Sequence, residues 1–191
     1  MQTQLALYIN LDHRTDRRAE IESELTKLSI PHERLSASSH AVGAIGCTLS
    51  HIRALQRALE LDVDVLWVLE DDFVILNPNM QAIVESAPDF DVFLGGFNGH
   101  CTHYQGQYAR VHNSQTTSCY IVKKRFIPTL LQTFQESLEC FQKDVNPHKY
   151  ALDMYWKRLQ PKSLWLTTPN RLGKQRKSYS DIEKRVTDYG V

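Results

Sequence analysis

Val63-Asp64-Val65-Leu66-Trp67-Val68-Leu69-Glu70-Asp71-Asp72-Phe73-Val74-Ile75-Leu76 joins an apolar run to three consecutive carboxylates. Val65 to Leu69 is apolar throughout and largely β-branched or aromatic, which is how a strand covered on both faces reads. Burying three adjacent charges costs far more than local packing returns, so Glu70, Asp71 and Asp72 are expected where this strand leaves the sheet. Open α/β sheets bind ligands at that end of their strands. If the chain is still extended there, Glu70 and Asp72 point to one side and Asp71 to the other, a pair able to share one hard cation. The plainer alternative is an acidic loop after a core strand.

The chain has 191 residues with 42% hydrophobic content, enough for one domain with a full core. Lysine plus arginine and aspartate plus glutamate number 22 each, so no overall field recruits nucleic acid or an anionic membrane. Met1 to Asn10 lacks a basic lead and a long apolar core, and no run approaches the roughly 18 apolar residues of a spanning helix. A soluble, unsecreted, cytoplasmic protein is expected, with peripheral membrane contact left open. Cys47, Cys101, Cys119 and Cys140 are widely spaced without a CxxC and read as reduced thiols.

Leu5 to Leu11 reads as the first strand, and Asp12 to Arg18 as a charged turn into a helix striped by Ile21, Leu25 and Leu28. Arg14, Arg17 and Arg18 thus cluster where a strand ends and a helix begins, a place that favours anions, although a solvated helix face explains them equally. Pro31 to Ala37 reads as a second strand. Ser38 to Ser50 is a small-residue, glycine-bearing stretch running into a helix striped by Leu49, Ile52, Leu55 and Leu59. Gly43 and Gly46 let a backbone approach a ligand there, and Ser50 and His51 lie in the first turns. Met80 to Ala87 is a short helix, Asp91 to Leu94 a strand, and Phe97 to Gln107 an aperiodic loop near the ligand. Cys47, His51, Cys101 and His103 match no common zinc spacing.

Tyr108 to Val111 and Ser118 to Val122 read as strands, followed by a core helix bearing Phe126, Leu130, Phe134 and Leu138. Leu152 to Leu159 reads as a shorter helix with Asp153 at its start, where capping is the commoner role for an aspartate. Ser163 to Thr167 is a last strand. Beyond Asn170 six basic residues face three acidic ones, giving a tail that either folds over an anionic ligand or frays.

A phosphate loop is missing, which removes a P-loop ATPase, and Asp12-His13-Arg14 lacks the second carboxylate of an aspartyl phosphatase. A nucleotide-sugar transferase accounts for the arginine cluster, the glycine-bearing helix start and the acidic triplet together. The sequence resembles glycosyltransferase family 25 at Ile9-Asn10-Leu11-Asp12 with Asp16-Arg17-Arg18. The likeness continues at Gly43-Ala44-Ile45-Gly46-Cys47-Thr48-Leu49-Ser50-His51 and Leu69-Glu70-Asp71-Asp72. It runs on through Thr117-Ser118-Cys119-Tyr120 to Gln175 and Ser180-Asp181-Ile182. The chain ends about ten residues after Ser180-Asp181, so acceptor-side elements of longer members are expected to be absent.

The resemblance implies a GT-A type fold, a Rossmann-like mixed α/β sheet flanked by helices, and a UDP-sugar donor, most often UDP-galactose. It implies Mn²⁺ or Mg²⁺, inversion at the sugar, and a glycan or hydroxylated protein acceptor. Asp72 would ligate the metal, with Glu70 or Asp71 on the ribose or on metal-bound water. Asn10, Leu11 and Asp12 would line the nucleotide pocket with Arg14, Arg17 or Arg18 nearby. Gly46, Ser50 and His51 would approach the donor, and Gln175 with Ser180 would close it. Asp153 and Asp181 are the two candidates for the general base that an inverting transfer needs. The alternative is a protein of the same fold that binds a nucleotide sugar without turnover.

Overall fold

The first three strands run parallel, and their order in space departs from their order in the chain. The computed structural model describes residues 2–181, 184–188 and 190, which leaves Ile182 outside the described residues. β1 (Gln4–Asn10), α1 (Thr15–Leu25), β2 (His32–Ser36), α2 (Gly43–Glu60) and β3 (Val65–Glu70) form two crossover units. β1 lies between β2 and β3, parallel to both. The winding therefore reverses after β2, and the carboxyl ends of β1 and β3 flank a crevice.

β4 (Phe73–Ile75), α3 (Met80–Glu85), β5 (Val92–Leu94), β6 (Asn98–Gln105), β7 (Tyr108–Gln115) and β8 (Cys119–Lys123) follow. Then come α4 (Ile127–Lys143), α5 (Pro147–Tyr150), α6 (Leu152–Tyr155), β9 (Trp165–Thr167), β10 (Gly173–Gln175), β11 (Ser178–Ser180) and β12 (Arg185–Thr187). Eight of the strands form one sheet in the order β2-β1-β3-β8-β5-β9-β7-β6. β8 runs antiparallel between β3 and β5, and β7 antiparallel to β9, so the sheet is mixed.

Leu66, Trp67, Val68 and Leu69 of β3 are fully buried. Leu66 and Val68 belong to a core with Ile52 and Leu55 of α2 and Leu130 and Phe134 of α4. Trp67 and Leu69 face the opposite core, with Ile21 and Leu25 of α1 and Met80 and Val84 of α3. Helices on both faces explain the lack of polar alternation, and each such side chain contributes about 1.5–3 kcal/mol by burial.

Several expectations change. Phe97–Gln107 is largely the edge strand β6, paired with β7, rather than a loop. Its side chains are almost all exposed, so neither face imposes an apolar period. α2 starts at Gly43, within the glycine-bearing stretch expected to run into it, and its buried face carries Ala54 and Ala58 while Leu59, expected on the apolar stripe, is exposed. The helix expected over 152–159 is α6 followed by a tight turn at Trp156–Arg158, whose buried indole N–H donates to Ser114 O at 3.0 Å. β4 was not foreseen. β10 pairs antiparallel with it, Gln175 opposite Phe73, so the C-terminal segment lies across the acidic turn. Gly173 permits this: a Cβ there would stand 2.0 Å from Phe73 Cζ.

Candidate active site

The three carboxylates diverge as the chain leaves β3. Glu70 turns toward β8, where Thr117 Oγ1 donates to its Oε1 at 2.7 Å and His51 Nε2 stands 3.3 Å away. Asp71 turns under β1, accepting from Asn10 Nδ2 at 2.8 Å and Arg17 Nη1 at 2.9 Å. Asp72 sits 3.3 Å from the same Arg17 nitrogen, and Gln175 Nε2 reaches both Asp72 (3.5 Å) and Glu70 (3.4 Å). Asp71 and Asp72 lie in a turn rather than in extended chain, so the expected alternation does not hold: those two share Arg17, while Gln175 joins Glu70 and Asp72.

Burial and the neighbouring Glu70 push the Asp72 carboxyl up to about 7, against the pull of Arg17. Burial likewise raises Asp71, with Arg17 and Asn10 opposing it. For Glu70, burial is outweighed by the facing His51, Thr117 and Arg17, and the carboxyl lies below its ordinary value.

Two cavities meet at this turn. A cleft of about 210 Å³ is lined by Leu11, Arg17, Asp71, Asp72, Ser180 and Asp181 among others. A larger one of about 610 Å³ is lined by Asn98, Thr116, Thr117, Val145, Leu152 and Asp153 among others. Gly43, Cys47, Glu70 and Gln175 border both.

The two aspartates proposed as base face different cavities. Asp181 is held by Arg14 Nη1 at 2.7 Å with His13 at 3.6 Å. Burial raises its carboxyl, but the Arg14 guanidinium, with the His13 ring beside it, more than offsets this and lowers it. Asp153 accepts from the Thr116 N–H at 3.1 Å, and burial, partly offset by that bond, holds its carboxyl above the ordinary value. Thr116 has φ of 89°, a strained left-handed conformation for a β-branched residue, which aims its N–H at Asp153. No sequence signal marks Thr116; Thr117 stood in the quoted motif without a role.

Of the other expected site residues, Arg17, Ser50 and His51 border the smaller cleft, whereas Asn10, Asp12, Arg14, Arg18 and Gly46 do not. Arg18 pairs with Glu22 one helical turn on, at 2.9 Å, on the outer face of α1. Arg14 is consumed by Asp16 and Asp181, and Asp12 by Arg34 and Ser36. None of the three borders the smaller cleft, because protein counter-ions take the place expected for a ligand. Arg17 does border it, while its Nη2 also holds the C-terminal segment through Ser178 Oγ (2.5 Å) and Tyr179 O (2.8 Å). Asn10 is buried beneath Asp71 as its support. Gly46 packs against protein, since a Cβ there would meet Ser38 O at 2.5 Å. The Ser50 hydroxyl accepts from Ser38 N–H and donates to Gly46 O, both at 2.8 Å, tying that loop to α2. His51 is fully buried behind Glu70, with its ring stacked on Tyr120.

The donor set suits a hard divalent cation. Glu70, Asp71 and Asp72 all border the smaller cleft, with Arg17 bridging Asp71 and Asp72, and carboxylate oxygens are the ligands such an ion takes. Such an ion would remove the like-charge cost that now raises Asp72.

Residues 39–165, more than half of the chain, match the family model described as glycosyltransferase family 25, LPS biosynthesis protein. The chain belongs to glycosyltransferase family 25. Among curated proteins no sequence matches significantly. The family 25 chain is similar in structure to A197 from STIV, at TM-score 0.50 and 16% identity, over 91% of this chain and 84% of that one. It is also similar to a glycosyltransferase involved in glycosylation of the major capsid of PBCV-1, at TM-score 0.46 and 12% identity, over 87% and 93%. A Drosophila β1,4-galactosyltransferase 7 solved with manganese, UDP-Gal and xylobiose gives TM-score 0.40 and 13% identity over 67% and 52%. The fold is GT-A-like, a mixed α/β sheet flanked by helices. No helix among the described residues is long and apolar enough to cross a membrane.

Proposed function

We propose that this family 25 member is a metal-dependent hexosyltransferase that moves galactose from UDP-galactose to a hydroxyl of a glycan or protein acceptor, inverting in a single displacement. The observation that carries it is the position of Glu70 and Gln175 on the wall common to both cavities. The smaller cleft, with Arg17 and Asp72, takes the nucleotide diphosphate; the larger, with Asp153, takes the acceptor. The sugar then lies at the wall between them.

Arg17 supplies fixed positive charge to the diphosphate side. Asp72 would hold the metal ion directly, and Glu70 or Asp71 would orient the ribose or the ion's water. Bound Mn²⁺ or Mg²⁺ supplies Lewis-acid stabilisation of charge on the leaving diphosphate. Asp153 removes the acceptor hydroxyl proton as the new glycosidic bond forms, its raised carboxyl being better matched to that task than the ion-paired Asp181. Asp181, with Ser180, instead fastens the C-terminal segment over the donor. One domain spans the chain in this reading, and its four free thiols accompany a cytoplasmic setting.

A panel of nucleotide sugars, incubated with and without manganese while free nucleotide is measured, tests the proposal. UDP released from UDP-galactose only with the metal supports it. Donor binding without nucleotide release in any combination points to a non-catalytic sugar-nucleotide binder.

A further inference from the structure

We propose that Cys47, His51 and Glu70 form a second metal site, taking a thiophilic divalent ion of the Zn²⁺ class on the wall between the two cavities. Cys47 and His51 are four residues apart on α2 and so share one face of the helix. The end of β3 brings Glu70 to them, and one ligand atom from each lies within 4.8 Å of the others. In a tetrahedral zinc site, with zinc–sulfur about 2.3 Å and zinc–nitrogen about 2.1 Å, the sulfur and nitrogen stand about 3.6 Å apart, so side-chain movements of about 1 Å complete the contact.

The second observation is His51 itself. It is 0% exposed, and its Nε2 has no hydrogen-bond partner although Glu70 Oε1 is 3.3 Å away. Its Nδ1 lies 3.2 Å from the Tyr120 hydroxyl. Nε2 favours the Glu70 carboxylate when it carries the ring proton; in the other tautomer, with the proton on Nδ1 donated to Tyr120, a lone pair and a carboxylate oxygen face each other. A cation between these two acceptors relieves the opposition, and Tyr120 fixes the ring as an outer partner of a metal-bound histidine does. Cys47 and Glu70 border both cavities, which gives an ion a route in and leaves a coordination position open.

The oxygen set around Asp72 suits Mg²⁺ or Mn²⁺, whereas a thiolate and an imidazole select zinc-like ions. On binding, the Cys47 thiol proton passes to solvent as the sulfur–metal bond forms. Glu70 is common to both sets, so the thiophilic ion withdraws it from the donor side. That consequence, unlike the binding, rests on the transferase reading.

The test adds Co²⁺ to the metal-free full chain with no donor or acceptor, so its outcome is separate from that reading. The expected result is a near-ultraviolet thiolate-to-cobalt charge-transfer band that saturates at one equivalent and is bleached by Zn²⁺. Cys47→Ser and His51→Ala lose the band, and Cys101→Ser on β6 keeps it. Circular dichroism checks each fold, with Cys47→Ala replacing the serine variant should that one misfold. No band in the unaltered chain, or a band surviving removal of Cys47, overturns the proposal.

Discussion

The two cavities share a wall and differ in what holds their charged groups. On the smaller side nearly every charge is paired within the protein: Arg17 with Asp71 and Asp72, Arg14 with Asp181. On the larger side Asp153 accepts from the Thr116 N–H, feels the Lys157 charge more weakly, and shares its cavity wall with Val145 and Leu152. Burial raises carboxyls on both sides, Asp72 up to about 7 and Asp153 above its ordinary value, but Asp72 has Arg17 at 3.3 Å to favour its charge whereas Asp153 leans on a backbone N–H. The difference supports the proposed division, with the diphosphate on one side and proton transfer on the other.

Substitutions on either side sharpen or break that division. Asp72→Asn should lower metal-dependent donor turnover by about 10³-fold, with the melting temperature retained; steady-state nucleotide release measures it, and near-normal turnover would remove the metal role. Arg17→Ala leaves two buried carboxylates without their cation and should cost about 3 kcal/mol in denaturant unfolding, with weaker donor binding. Asp153→Asn should lower sugar transfer by about 10²-fold while leaving donor affinity unchanged. In the unaltered protein the base is protonated below its folded-state value. Transfer should therefore fall with decreasing pH along a limb displaced above the ordinary carboxylate range, in the direction of the Asp153 shift. Asp181→Asn should spare that limb and loosen the C-terminal segment instead. Gly173→Ala, the smallest effect, should cost about 1–2 kcal/mol by forcing a methyl against Phe73, seen as a lower melting temperature.

β3 was legible because it is buried on both faces and so reads as a short, continuous apolar run. The carboxylates at its end followed from the cost of burying charge. β6 was not legible, because an edge strand exposed on both faces carries no periodic signal. Nor was the fate of the arginines: composition placed Arg14, Arg17 and Arg18 together, but their partners Asp181, Asp71 and Glu22 are chosen by tertiary packing. Asp153 and Asp181 looked alike in sequence. They separate only when Thr116, held in a left-handed conformation, is found beside one and Arg14 beside the other.

A crystal structure of the chain with UDP and Mn²⁺ tests the division of the cavities most directly. The expected result is the diphosphate in the cleft beside Arg17, the ion ligated by Asp72 with Glu70 adjacent, and the Asp153 cavity free of nucleotide. Nucleotide bound against Asp153, or an ion remote from Asp72, would contradict it.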